Sequence, residues 1–206
     1  MLPVKRVLWF AAPFAASLFL GCATSGVDAA SGATSRPEGR SIEGGREGAG
    51  ALIILAASTG TSTSKIADAI AKELGAAVVS PERVGPDDLG KYALIGFGSG
   101  IFDQRHHRSL LELAERLPNS PGRKAFIFST SGVSRQFAVD HGIDDPHSPL
   151  RGKLTAKGYE IVGEFNCAGF NDNSFLKLFG GMNRGRPNEA DIARARAFAE
   201  ELEVSK

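Results

Sequence analysis

The sequence predicts an α/β domain: a doubly wound parallel sheet of five strands, order 2-1-3-4-5, with helices on both faces in three layers. Two observations carry this expectation. The first is a set of short apolar runs that do not alternate: "ALIILAA" (51–57), "ALIGFG" (93–98) and "AFIFS" (125–129). A strand with one wet face alternates, so continuous apolar runs mean burial on both faces, the condition of a parallel sheet covered by helices. The second is the helical period between the runs, the alternation that parallel pairing requires.

In chain order, the first run leads through "STGTSTS" into a helical stripe of Ile66, Ile70 and Leu74, closed by Gly75. "AAVVS" (76–80) is the second strand, and the crossover "PERVGPDDLGKY" is too short for a full helix. After the third strand, "ALIGFG", Leu110, Leu113, Ala114 and Leu117 form a stripe that stops at Pro118. One more helix and the polar stretch "DHGIDDPHSP", read as an insertion loop, separate the fourth strand, "AFIFS", from the fifth, "EIVGEF" (160–165). The last helix starts at "PNEAD", where Asn188 fits an N-cap with Asp191 three residues on; Ile192, Ala195, Phe198, Ala199 and Leu202 are its buried face.

The chain before this domain reads differently. Residues 1–22 place Lys5 and Arg6 ahead of an apolar run from Val7 to Leu20, the layout of a secretory signal and too short for a comfortable membrane span. Gly21-Cys22 after "LFL" resembles a bacterial lipobox, which implies a lipidated Cys22 and an exported, membrane-anchored protein. Cleavage at Ala29 is the competing reading, and a misassigned start codon would leave the protein cytoplasmic. Residues 23–50 carry only Val27 and Ile42 as sizeable apolar residues and read as a disordered Gly/Ser-rich tether with a reach of about 30 Å. Residues 51–206 are the working domain.

That domain holds 19 Lys and Arg against 19 Asp and Glu, which argues against nucleic acid as a partner. With two cysteines, one of them Cys22, neither a disulfide framework nor a zinc-type spacing is possible. His106 and His107 are adjacent, so on a helix they point about 100° apart and chelate one ion poorly; they read as a solvated pair at a helix start. His141 and His147 fall in the polar stretch. Arg184 and Arg186 read as a surface turn, with an acidic partner or a nicotinamide nucleotide phosphate as the alternative, and Cys167 as a small buried residue.

In a doubly wound sheet ligands bind outside the carboxyl ends of the strands, where the strand order reverses. The three loops there read "STGTST", "GSGIFDQ" and "STSGVS", all small, polar and glycine-bearing. A loop that enters a helix N-terminus offers free amides and the positive dipole end to an anion. A helix cap within an ordinary turn explains the same hydroxyls. The Walker A pattern fails, because Lys65 follows Ser64 and not glycine, and "GFGSG" lacks the dinucleotide spacing.

The combination of "GFGSGI", "FSTSG" and "NRGRPNE" resembles a bacterial branch of the flavodoxin family, over roughly residues 51–203. The resemblance implies a flavodoxin-like fold and an electron-transfer domain that binds FMN noncovalently. It implies phosphate contacts at Ser58, Thr59, Gly60, Thr61, Ser62 and Thr63. Flavin-ring contacts would come from Ser99, Gly100, Ile101 and Phe102 and from Ser129, Thr130, Ser131 and Gly132, with Phe102 the candidate to lie against the ring. Gly98 and Gly100 would give the second loop freedom to turn a peptide. Thr61 stands where the family has glycine, and Gly60 falls one place early; either the turn is rebuilt around Gly60 or the cofactor is held more weakly. The partner implied is a redox protein or a small-molecule electron acceptor. Two other readings stay open: an FMN-dependent NAD(P)H or quinone oxidoreductase, and a cofactor-free binding module of the cell envelope. Flavin absorbance separates the last from the others, and NAD(P)H oxidation separates the first two. No catalytic residue and no metal ligand stands out.

Overall fold

In a computed structural model of the chain, the described residues are 50–85, 88–170 and 181–204. The leader at 1–22, the tether at 23–49 and Cys22 lie outside the described residues. The first strand opens at Gly50, one residue earlier than the sequence indicates.

Five parallel strands are joined by right-sized crossovers: β1 (Gly50–Ala56), β2 (Ala77–Val79), β3 (Tyr92–Phe102), β5 (Lys124–Ser131) and β6 (Glu160–Ala168). Their order is β2-β1-β3-β5-β6, the predicted order counted along the parallel strands. A two-residue β4 (Arg105–His106), absent from the sequence reading, folds back antiparallel on the end of β3. The helices are α1 (Ser62–Leu74), α2 (Arg108–Arg116), α3 (Arg135–Asp140), α4 (Ser148–Ala156) and α5 (Glu189–Val204). The short crossover is two single turns of 3₁₀ helix, Pro81–Arg83 and Asp88–Lys91. Where one helix was expected between β5 and β6 there are two, α3 and α4.

The absence of alternation in the sequence is explained by a core on each face of the sheet. Ile53 and Leu55 of β1 pack with Ile66 and Ile70 of α1 and Ala195 and Ala199 of α5. Leu52 and Ile54, which point the other way, pack with Leu110 and Leu113 of α2 and Leu150 and Leu154 of α4. Each leucine or isoleucine among them, fully buried, contributes about 1.5–3 kcal/mol. The predicted ends of α1 and α5 hold. Gly75 adopts φ 59° after α1, its amide bonded to the Ala71 carbonyl. Before α5, the Asn188 amide donates to Asp191 Oδ2 at 2.9 Å and the Asp191 amide to Asn188 Oδ1 at 3.1 Å, a reciprocal capping box.

Candidate functional site at the carboxyl ends of the strands

The loop after β1 places its positive φ at Gly60, 80°. Thr61 has extended φ −77°, ψ 168° and is the N-cap of α1, its Oγ1 accepting the Ser64 amide at 3.3 Å. The turn is therefore rebuilt around Gly60, and threonine at 61 carries no strain. Thr61 Oγ1 donates to the Ser58 carbonyl at 2.8 Å. Ser62 Oγ ties the loop to the far side of the site, donating to the Arg186 carbonyl at 3.2 Å and accepting the Phe170 amide at 3.0 Å. Thr63 Oγ1 meets Thr130 Oγ1 at 2.7 Å, a buried link between the first and third loops. The amides of Ser62 and Thr63 belong to the first turn of α1, where no carbonyl four residues back serves them.

β3 runs past its neighbours and turns through Asp103 (φ 47°) and Gln104 (φ 61°) into β4. Positive φ at both central residues is the type I′ geometry, whose twist suits a two-residue hairpin. Phe102 stands on this hairpin and is 63% exposed, so it belongs to the surface and not to the core. Its ring lies against Gly100, where an added Cβ would come within 2.9 Å of it. Gly98 has a different role from the peptide freedom expected of it. A Cβ there would lie 2.0 Å from the Phe128 ring, and one on Gly96 2.3 Å from Phe126, so both glycines seat phenylalanines of β5.

After β5, Thr130, Ser131 and Gly132 run toward α3. Asn166 Nδ2 donates to Ser131 Oγ at 3.0 Å and Asn183 Nδ2 to the Gly132 carbonyl at 2.7 Å, so this third loop is pinned from two elements. The three loops meet at a cleft of about 240 Å³, lined by residues 61–63, 100–102 and 130–132 with Gly169 and Phe170. A second hollow of about 390 Å³, reaching Ser58, Ser80 and Glu82, shares Thr61, Thr63, Gly100 and Phe102 with it. Phe102 thus lines both hollows. Thr59 and Gly60 are exposed beside it. A hollow of about 590 Å³ lies at the opposite end of the sheet near Tyr92 and Arg123. There Arg123 Nη1 is occupied by the carbonyls of Leu89 and Tyr92, at 2.7 and 2.8 Å.

Ser99 and Ser129 do not line the cleft. Both are fully buried beneath it, and each holds a histidine that is buried too, where the sequence predicts a solvated His106 at a helix start and His147 in a polar stretch. His106 is 2% exposed, with Nδ1 2.8 Å from Ser99 Oγ. His147 is 0% exposed, with Nε2 2.7 Å from Ser129 Oγ and Nδ1 3.1 Å from Glu164 Oε2. Of the adjacent pair only His107 is solvated; its ring caps α2 by accepting the Ser109 amide. No local signal marks the buried pair, because their partners lie on other strands.

Behind His147, Arg135 and Arg151 each bind both Asp145 and Glu164. Burial works against the Glu164 charge, but hydrogen bonds from His147 and Arg151 and the charge of Arg135 outweigh it and bring the carboxyl down to about 2. Asp145 is likewise desolvated, yet hydrogen bonds from Arg135, Arg151 and the His147 amide hold it well below its ordinary range. For His106, burial comes first and the neighbouring His147 second, and together they lower the imidazole to about 3. Burial, with Asp191 adding, raises the Cys167 thiol to about 12, so the thiolate is disfavoured. Arg184 is exposed, whereas Arg186 Nη2 donates to the buried Asp191 Oδ1 at 2.6 Å. The "NRGRPNE" turn is thus partly structural.

No family model matches the chain. The uncharacterized protein MJ0298 of Methanocaldococcus jannaschii is 41% identical over 152 residues, which are 74% of this chain and 97% of that protein. Among solved structures, oxidised flavodoxin 2 of Bacillus cereus superposes with a TM-score of 0.54 at 19% identity, over 77% of this chain and 100% of that one. The flavodoxin of Streptococcus pneumoniae TIGR4 gives a TM-score of 0.53 at 20% identity, over 76% and 99%. The fold is flavodoxin-like, as the sequence predicts.

Proposed function

The chain belongs to the family of the Methanocaldococcus jannaschii protein MJ0298, and from the flavodoxin-like fold and the cleft at its switch point we propose that it binds FMN noncovalently and transfers electrons. The observation that carries the reading is the meeting of three loops, each singled out in the sequence, at one cleft where the strand order reverses. The residues fit the group. Free amides at the start of α1, the dipole of that helix and the hydroxyls around Thr61 suit a phosphate without a cationic side chain. The exposed Phe102 and the small residues of the third loop suit a flat aromatic ring. FMN, when bound, supplies the redox chemistry. The chain's part is to orient it and to exclude water. The acceptor would be a redox protein or a small molecule.

The test places a charge in the cradle. Ser62 is unsuitable, since its hydroxyl ties the loop to Arg186 and Phe170 on distant segments, whereas Thr61 bonds only within its own turn, and an aspartate there gives up one local bond, to the Ser58 carbonyl. Thr61→Asp keeps an N-cap acceptor, so α1 survives, and sets a carboxylate beside the amides. Like charges a few ångströms apart cost about 1–4 kcal/mol at effective dielectrics of 80 to 20. FMN affinity is expected to fall tenfold or more while riboflavin, which lacks the phosphate, binds as before. A wild-type protein that takes up neither flavin on titration overturns the cofactor reading.

We also propose export and anchoring through a lipidated Cys22, on the support of the basic start, the apolar run and Gly21-Cys22. Stable anchoring needs more than one acyl chain. Wild type is expected in the membrane fraction and Cys22→Ser in the soluble one; an unprocessed wild-type chain in the cytosol overturns this.

A further inference from the structure

Ser99 and Ser129 are register partners on β3 and β5, and the histidines they hold touch, ring centroids 5.0 Å apart at 39°. The two are wired differently. Glu164 can only accept, so His147 carries its hydrogen on Nδ1, and Nε2 accepts from Ser129, whose oxygen in turn takes Asn166 Nδ2–H at 2.9 Å. Both nitrogens are used. His106 has one partner, Ser99, and its buried Nε2 has none among the described residues.

Ser99 has one proton. Its hydroxyl lies 2.9 Å from the Gly100 carbonyl and also accepts the His107 amide at 3.0 Å. If the proton serves Gly100, His106 donates from Nδ1 and Nε2 is a bare acceptor. The reverse assignment leaves a buried N–H without an acceptor, the rarer and costlier state. We infer that neutral His106 is the positioning residue of the cleft: through Ser99 it fixes the Gly100 carbonyl and holds down the hairpin that carries Phe102. Its effect on a ligand rests on the flavin reading, whereas the latch itself needs no cofactor.

The hairpin has little else to hold it. β4 pairs at only two positions, Ile101 with His106 and Phe102 with Arg105, and so short a ribbon is not stable alone. A second proton on His106 would be an N–H with no acceptor, next to His147. On the hairpin's own side the charged and titratable groups are Asp103, Arg105, His107 and Arg108, all exposed. From α4 and its approach come Asp145, His147, Arg151 and Lys153, from α3 Arg135, and from β6 Glu164. Asp145 and Glu164 are each paired to two arginines, and Lys153 pairs with Glu115 of α2. Among the described residues, Asp103 is solvent-exposed and neither carboxylate packed beneath the hairpin is left over to receive an imidazolium at His106. The low value of about 3 for His106 agrees with this wiring. In an opened hairpin the imidazole titrates at its ordinary 6.5, so between pH 7.5 and pH 5 opening becomes favoured by about thirtyfold.

Hydrogen exchange on the full chain without cofactor tests this, read as protection of the amides at 101–107 relative to unstructured rates. At pH 5 that protection is expected to fall tenfold or more from its value at pH 7.5, while α5 keeps its own. His106→Asn still donates to Ser99 and gains no proton, so its hairpin is expected to stay protected at both values. Equal protection at both values in wild type, or an equal fall in the variant, overturns the inference. Should His106→Asn not fold, Ser99→Ala serves: it is expected to lose hairpin protection already at pH 7.5, and unchanged protection counts against the latch. In titrations, wild type is expected to bind FMN and riboflavin more weakly at pH 5 than His106→Asn does. No flavin uptake at pH 7.5 rejects the cofactor reading alone and leaves the latch to be judged by exchange.

Discussion

The loop at 58–63 and the hairpin at 100–106 open onto the same cleft and are built on opposite plans. The turn at 58–61 is ordered by its neighbours in sequence, Thr61 bonding to Ser58 and capping Ser64, each three residues away, with Gly60 supplying the turn, while Ser62 and Thr63 tie its helix end to Arg186, Phe170 and Thr130. The hairpin is ordered from beneath, by Ser99 and His106 seven residues apart and by a ring contact to His147. A locally ordered loop presents its amides to a ligand in any tertiary context that preserves the helix. A hairpin ordered from beneath responds to whatever changes the layer under it, including a proton.

The largest effect on this contrast is expected at Gly98→Ala. The new Cβ would fall 2.0 Å from the ring of the fully buried Phe128, and overpacking of this kind costs about 1–3 kcal/mol. A lower urea midpoint is expected, with hairpin protection reduced and the cap at Thr61 intact; an unchanged midpoint would show that β5 yields. A smaller effect, about 1 kcal/mol of flavin affinity, is expected at Phe102→Ala. It should weaken FMN and riboflavin alike, the opposite of the selective loss at Thr61→Asp. If Phe102→Ala leaves both affinities unchanged, the ring is only a surface residue.

Most of the sheet was legible because buried parallel strands advertise themselves as unbroken apolar runs, and the ends of α1 and α5 because capping is local chemistry. The loops of the cleft were legible by their place after those strands and their small, polar, glycine-bearing composition. The hairpin was not, because Asp103-Gln104 lacks the Asn-Gly or Gly signal of a type I′ turn and β4 has only two residues. α4 was hidden by Pro149 and Gly152, poor helix formers inside a polar stretch. The burial of His106 and His147 depends on Ser99, Ser129 and Glu164. Each is unremarkable in sequence and meaningful only once the strands are in register. For the same reason Ser99 and Ser129 read as ring contacts, when they are the floor below.

The paired glycines and phenylalanines of β3 and β5 act as alignment pins. Gly96 faces Phe126 and Gly98 faces Phe128, so a slip of β5 by two residues would drive a benzyl group into Leu94 or into the Phe102 ring over Gly100 in place of a vacant seat. The same two teeth that index the strands also set Ser99 level with Ser129 at the next step up. Any drift in the sequence that trades a glycine for bulk at 96 or 98 has to be matched by a loss of bulk at 126 or 128. Otherwise the misfit travels one rung along the ladder and arrives at the histidines.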